Sequence, residues 1–192
     1  MAKSCFISAL ICVLLCCIPV HLTHADDGYC VRLCAESFVG VKEKGGNNKG
    51  FTDPVLQVLM RQEGWVPGYA WCSFFVMAML NECGIPNNIT GWAPTAYNRR
   101  DVIYDNGKFL QSYSSSDVLV MTLSYNDKNK RFKGIGHTGI VERIGKHSVR
   151  TIEGNTNQAG SADSRTGDGV LVKIRPLTKN LHITRWGKRQ SS

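Results

Sequence analysis

An α+β fold, with N-terminal helices packed on an antiparallel β-sheet, is predicted by three features of this 192-residue chain. Apolar stripes at helical spacing occupy the first half, short β-rich runs take over from Asp117, and Gly/Asn/Asp/Lys-rich connections separate those runs. Helices first and strands afterwards leave the strands to pair with one another and the helices to cover them. A hydrophobic fraction of 43% against 20% charged residues excludes wholesale disorder. Nineteen Gly and six Pro exclude collagen-like or linker character. The length suits one globular domain with a core large enough to fold unaided.

The first residues read separately from that domain. Lys3 is followed by an apolar stretch from Phe6 to Val20 and then by His21-Leu22-Thr23-His24-Ala25. A positive start, an apolar centre of ~7–15 residues and small residues before a polar stretch predict a secretory signal peptide over 1–25. The remainder, 26–192, is expected to be a single domain, secreted or periplasmic. An uncleaved anchor would need ~20 apolar residues, and lipidation at Cys16 or Cys17 is the lesser alternative. Cleavage removes four of the eight cysteines and leaves 22 Lys and Arg against 15 Asp and Glu, a formal +7. That charge suits an anionic wall or membrane surface, and by itself it suits nucleic acid equally. No aromatic-basic repeat or recognition motif favours nucleic acid, and Lys188-Arg189 reads as a solvated tail. Cys30, Cys34, Cys72 and Cys83 remain; export permits disulfides, and the sequence does not choose among the three full pairings. Cys30 and Cys34, four apart, share a face if that segment is helical.

The apolar spacing of Val31, Cys34, Ala35 and Phe38 predicts a helix over 29–39. Lys44 to Gly50 is a loop by composition. Asp53-Pro54 reads as an N-cap with Pro at the first helical position, opening a helix to about Glu63 with Val55, Leu56, Leu59 and Met60 inward. A third helix begins near Trp71, carries Phe74, Phe75, Met77, Ala78 and Leu80, and ends at Gly84 with Pro86 beyond. Residues 87–116 give no clear pattern except a short helix near 95–100. Asn88-Ile89-Thr90 matches a glycosylation acceptor, relevant only in a eukaryotic secretory pathway. Strands are predicted at 118–123, 137–143, 149–153, 170–175 and 183–186.

Two residues stand out chemically. Cys72 falls in the first turn of the third helix, where orphan N–H groups and the helix dipole bias a thiol toward thiolate; a small core residue is the equally weighted alternative. His137 opens a strand between glycines in Gly134-Ile135-Gly136-His137-Thr138-Gly139, and judged alone it is an ordinary surface histidine. The hairpin joining 137–143 to 149–153 adds an independent point. If Arg143 faces His147, Glu153 falls opposite His137, and Asn155 lies on the same face. A thiol, an imidazole and an acidic or amide orienter make the general triad of acyl transfer.

In this order of residues the chain resembles the CHAP (cysteine, histidine-dependent amidohydrolase/peptidase) branch of the NlpC/P60-like, papain-like superfamily. The resemblance spans about 39–186. It rests on Gly40-Val41-Lys42-Glu43-Lys44-Gly45-Gly46-Asn47-Asn48, Ala70-Trp71-Cys72-Ser73-Phe74-Phe75-Val76, Gly136-His137-Thr138-Gly139-Ile140-Val141 and Thr151-Ile152-Glu153-Gly154-Asn155-Thr156-Asn157. It implies a papain-like fold, Cys72 as nucleophile, His137 as base, and Glu153 and Asn155 as orienters of the ring or polarisers of the substrate carbonyl. It also implies hydrolysis of amide bonds in bacterial peptidoglycan, by an N-acetylmuramoyl-L-alanine amidase or a stem-peptide or cross-bridge endopeptidase. Ser73 replaces a common Ala, and Ser116-Asp117 stands where relatives have Gly-Asp. Some relatives bind calcium through an Asp-rich loop; the Asn/Lys-rich 42–50 segment predicts none, and no cofactor is expected. Trp71, Trp92 and Tyr97 are candidates to line the cleft, with core packing expected of at least one. Asn157 and Arg165 are candidate substrate contacts, although solvated loop residues are the favoured reading there. The competing functions are transpeptidation or deamidation of a protein, and a non-catalytic wall-binding protein or one silenced by a Cys72 disulfide.

Overall fold

The computed structural model describes residues 27–126, 133–158 and 167–187. The expected signal segment, with Cys16 and Cys17, and Lys188-Arg189 lie outside the described residues.

Three helices come first: α1 (Asp27–Ser37), α2 (Pro54–Gln62) and α3 (Cys72–Glu82). Asp53 caps α2 as its position predicts, Oδ1 accepting from the backbone N–H of Val55 at 2.9 Å and of Leu56 at 3.0 Å. Such a cap is worth ~1 kcal/mol. Leu56, Leu59 and Met60 are buried as expected. In α3 burial extends around the helix, taking in Val76 and Met79 as well as Phe74, Phe75, Ala78 and Leu80. A helix apolar on all sides belongs in the centre, and α3 packs on α1, on α2 and on the sheet. Gly84 ends it at φ 68°. A disulfide joins Cys30 of α1 to Cys83 just beyond α3, across 53 residues of sequence. Cys34 and Cys72 are outside any disulfide.

Seven strands form one antiparallel sheet: β1 (Val102–Asp105), β2 (Lys108–Phe109), β3 (Val118–Asn126), β4 (Lys133–Ile144), β5 (Ser148–Thr156), β6 (Gly169–Pro176) and β7 (Leu181–Trp186), ordered β2-β1-β7-β3-β4-β5-β6. All five predicted strands are present. Alternation along them sorts two apolar layers. Val118, Val120, Ile140 and Ile152 pack with the helices, whereas Leu119, Met121, Val141 and Ile183 pack together with Ile103 and Tyr104.

The structure differs from expectation in three places. The β1–β2 hairpin lies in the segment that gives no clear pattern, although its turn, Asn106-Gly107 at φ 47° and 81°, is a common hairpin pair. The short helix is a 3₁₀ turn at Ala93–Ala96 rather than 95–100. The β4–β5 register is three residues from the expected one at the hairpin and two residues from it at Ile140. Arg143 pairs with Arg150, not His147, and Ile140 pairs with Ile152 beyond a bulge.

Candidate active site

Cys72 begins α3, which packs over β4 and β5. Its approach to the sheet depends on Gly154: a Cβ there would stand 2.6 Å from Trp71 Cζ3 and 2.7 Å from Phe75 Cβ. The N-cap, Trp71, supplies no side-chain hydrogen bond to the helix start. First-turn N–H groups beside the thiol therefore keep their bias toward an anion. Trp71 is itself fixed by Glu43. Its indole N–H donates to Glu43 Oε1 at 2.7 Å, while Glu43 Oε2 accepts from the Asn48 backbone at 2.7 Å. Glu43, quoted above only as part of a motif, thus ties the 44–50 loop to the residue preceding Cys72.

His137 and Glu153 meet although their backbones are not opposite. The observed register sets Gly139 across from Glu153, and a Cβ on Gly139 would lie 2.7 Å from Glu153 Cγ. A two-residue shift keeps a side chain on its face, so the Glu153 carboxylate passes over Gly139 and reaches His137 diagonally, with Oε2 2.9 Å from Nε2. Arg175 from β6 grips the same carboxylate at both oxygens, Nε to Oε1 at 2.9 Å and Nη2 to Oε2 at 2.6 Å, and the Thr151 hydroxyl donates to Oε1 at 2.6 Å. Arg175 escapes a reading of the sequence because only the β5–β6 pairing, Val149 to Arg175, brings it to this face.

Cys72, His137 and Glu153 are all buried, at 3%, 2% and 0% exposure, so their charges act on one another with little screening. Burial opposes a thiolate at Cys72, but the neighbouring His137 outweighs it and lowers the thiol pKa, helped by Ser73 and the Thr138 backbone. Burial likewise opposes an imidazolium, yet the neighbouring Cys72 and the bonded Glu153 carboxylate push His137 up to about 9. Glu153, against its burial, is held well below the usual carboxylate range by Arg175 and His137. With Nε2 on Glu153, Nδ1 is the nitrogen left for Cys72; it is buried and makes no hydrogen bond among the described residues. The arrangement can hold a thiolate–imidazolium pair and deliver both an attacking sulfur and a proton.

Asn155 does not share the Glu153 role. The β5–β6 ladder is interrupted between Glu153 and Thr156, and Asn155 sits at φ 55°. Its side-chain Oδ1 and Nδ2 are buried with no hydrogen-bond partner among the described residues. Trp71 is fully buried against Phe51 and Phe75, so it belongs to the core rather than a cleft wall. Trp92 is 69% exposed, and the preceding Gly91 lies against Phe74 of α3. Tyr97 is half-buried and donates to Asp105 Oδ2 at 3.4 Å. Asn157 accepts from Lys173 Nζ through its backbone carbonyl at 2.6 Å. Arg165 lies outside the described residues. Among the described residues no group of three or more His, Cys, Asp and Glu is placed to hold a metal ion.

Residues 64–155, the stretch that carries Cys72, His137, Glu153 and Asn155, match the family model of the CHAP domain. No curated protein and no solved structure matches the chain.

Proposed function

From a chain that carries a CHAP domain, and so points to a peptidoglycan-related amidase or peptidase, we propose a secreted or periplasmic cysteine amidohydrolase with a papain-like site, cutting amide bonds of bacterial peptidoglycan. The observation that carries this reading is the Glu153–His137 bond at 2.9 Å beside a buried thiol at a helix start.

The steps follow from the geometry. Cys72 attacks the amide carbonyl as thiolate, its proton already held by His137. Negative charge developing on the carbonyl oxygen is stabilised by the Cys72 backbone N–H, and the unpartnered amide of Asn155 is suited to assist. The imidazolium then protonates the leaving amine, and water activated by the neutral ring hydrolyses the thioester. Glu153 fixes the ring, and Arg175 and Thr151 fix Glu153. Removing any member of such a unit costs orders of magnitude in rate.

The test is digestion of purified sacculi with the protein lacking residues 1–25 and with its Cys72→Ala variant, under reducing conditions, followed by mass analysis of released fragments. Release by the wild type alone is expected, and the fragment masses identify the amide. Unchanged muropeptides with the wild type would sink the hydrolase reading. Equal release by both proteins would remove Cys72 as the nucleophile.

A further inference from the structure

A second polar cluster joins four side chains outside the Cys72 site. His182 Nδ1 lies 2.5 Å from Asp105 Oδ1, and His182 Nε2 lies 2.6 Å from Ser124 Oγ. Tyr97 donates to the other Asp105 oxygen, and its ring meets the His182 ring edge-on at 5.4 Å. All four residues are half-buried, and the Asp105 side chain is 34% exposed.

Strand pairing fixes where this cluster stands. Thr122 pairs with His182 on one side and with Thr138 on the other, and the Thr138 backbone helps lower the pKa of Cys72. Neighbouring strands are ~4.8 Å apart, so the His182 backbone is roughly 10 Å from that of Thr138. Ser124, two residues on from Thr122, shares its face.

Counting hydrogens shows what the cluster lacks. An ionised carboxylate has none to give, so with a neutral ring Nδ1 carries the hydrogen and donates to Asp105. Nε2 is then bare and accepts from the Ser124 hydroxyl, while the Tyr97 hydroxyl is spent on Asp105. Every side-chain hydrogen is used internally. Asp105 Oδ1 also accepts from the Asn106 backbone N–H at 2.8 Å. That leaves the remaining lone pairs of the partly exposed carboxylate and of Ser124 Oγ and, with the ring neutral, one negative charge. Arg99, exposed, is a cation felt at Tyr97, and it competes with any ligand for that charge.

We propose that Tyr97, Asp105, Ser124 and His182 form a subsite for a primary ammonium group of the substrate, two strands from Thr138 on the same sheet. As a substrate contact it rests on the amidohydrolase reading; as a binding site it does not. An ammonium supplies the three donors and the positive charge that the cluster is without.

The test uses the full chain as Cys72→Ala at pH 8, where a lysine amine is charged. The probes are Nα-acetyl-lysine amide and its Nε-acetylated counterpart, read by NMR at the His182 ring. A saturable shift with the free amine is expected, at least ~10-fold weaker with the acetylated probe and after Asp105→Asn. Equal shifts from both probes, or a response unchanged by Asp105→Asn, would overturn the subsite. Labelling of Ser124 by a fluorophosphonate would overturn it too, assigning the serine a nucleophilic role. In the wild type, acetylating the amines of soluble muropeptides is expected to raise KM and leave kcat alone. If no muropeptide is cut at all, the proposed hydrolase fails, while the probe titration still decides the ammonium site.

Discussion

Glu153 stands across the sheet from Gly139 and reaches His137 on the diagonal, Oε2 to Nε2 at 2.9 Å. The carboxylate crosses the space that any other side chain at position 139 would fill. Gly139 is therefore a positioning residue for the imidazole. Gly139→Ala puts a methyl 2.7 Å from Glu153 Cγ and 3.0 Å from the Ile152 carbonyl. Overpacking of this kind costs ~1–3 kcal/mol, and a displaced catalytic group loses on the order of 100-fold in rate. The variant is expected to melt lower, to lose kcat/KM, and to titrate its histidine nearer the ordinary value. Wild-type kcat/KM with an unmoved His137 titration would show that Glu153 does not need the space.

Arg175 is the second support. It holds a carboxylate that is wholly buried, and breaking such a pair from one side typically costs ~3–5 kcal/mol because the remaining charge is left alone. Arg175→Met is expected to destabilise the protein by that order. It also raises the Glu153 pKa, since Arg175 is the leading influence that lowers it. The acid limb of the activity profile then moves to higher pH. Arg175→Lys, keeping charge without the fork, should recover part of the stability and less of the rate. An acid limb unmoved in Arg175→Met would separate Arg175 from the ionisation of Glu153.

The ion pair sets a pH window. Cys72 is lowered and His137 is raised to about 9, so thiolate and imidazolium coexist between the two and the alkaline limb of kcat/KM is expected near 9. Glu153→Gln removes the negative charge that helps raise His137, moving this limb down toward the unperturbed ~6.5. Stability follows with its own signs. The raised His137 contributes fully below ~6.5 and its contribution fades as pH rises through about 9. The depressed Glu153 contributes above ~4.3 and its contribution is lost as pH falls. Alkylation of Cys72 by iodoacetamide checks the thiolate directly: it should proceed below pH ~8.5 and slow in His137→Ala. An ordinary thiol profile in the wild type would refute the pair.

What the sequence discloses depends on the range of the interaction. Asp53-Pro54 and Gly84 mark helix ends because caps act within a turn, and alternating apolar residues mark five strands because each face is sorted locally. Cys72 is legible from its place at a helix start; His137, expected to open a strand, instead lies inside β4, which begins at Lys133. The Glu153 partnership is legible only in part: the hairpin is three residues from the expected register, and side-chain parity survives because the bulge after Val141, which is not a local signal, brings the offset to two. Arg175, 22 residues beyond Glu153, and the choice of Cys83 for Cys30 both depend on which elements lie side by side. Asn155 shows the converse. Strand alternation puts it on the Glu153 face, but a left-handed backbone at φ 55° breaks that alternation within β5.

The Cys30–Cys83 disulfide closes 53 residues and ties α1 to the far end of the helix that starts at Cys72. A loop of that size is worth ~4 kcal/mol by loop-closure entropy. At ~2–4 °C per kcal/mol for a protein of this length, the Cys30→Ser/Cys83→Ser double variant is expected to melt roughly 10 °C lower. The loss falls on α1 and the C-terminal turn of α3, about 16 Å of helix from the thiol. Activity at 25 °C should therefore survive the double substitution, and reductant should activate rather than inhibit the wild type by keeping Cys72 free. Calorimetry of both proteins and mapping of the wild-type disulfide by mass spectrometry check this together. A melting point within 2 °C of wild type, a resolution of about 0.5–1 kcal/mol at this size, would remove the disulfide's structural role. A mapped bond to Cys72 would instead describe a protein whose nucleophile is stored oxidised.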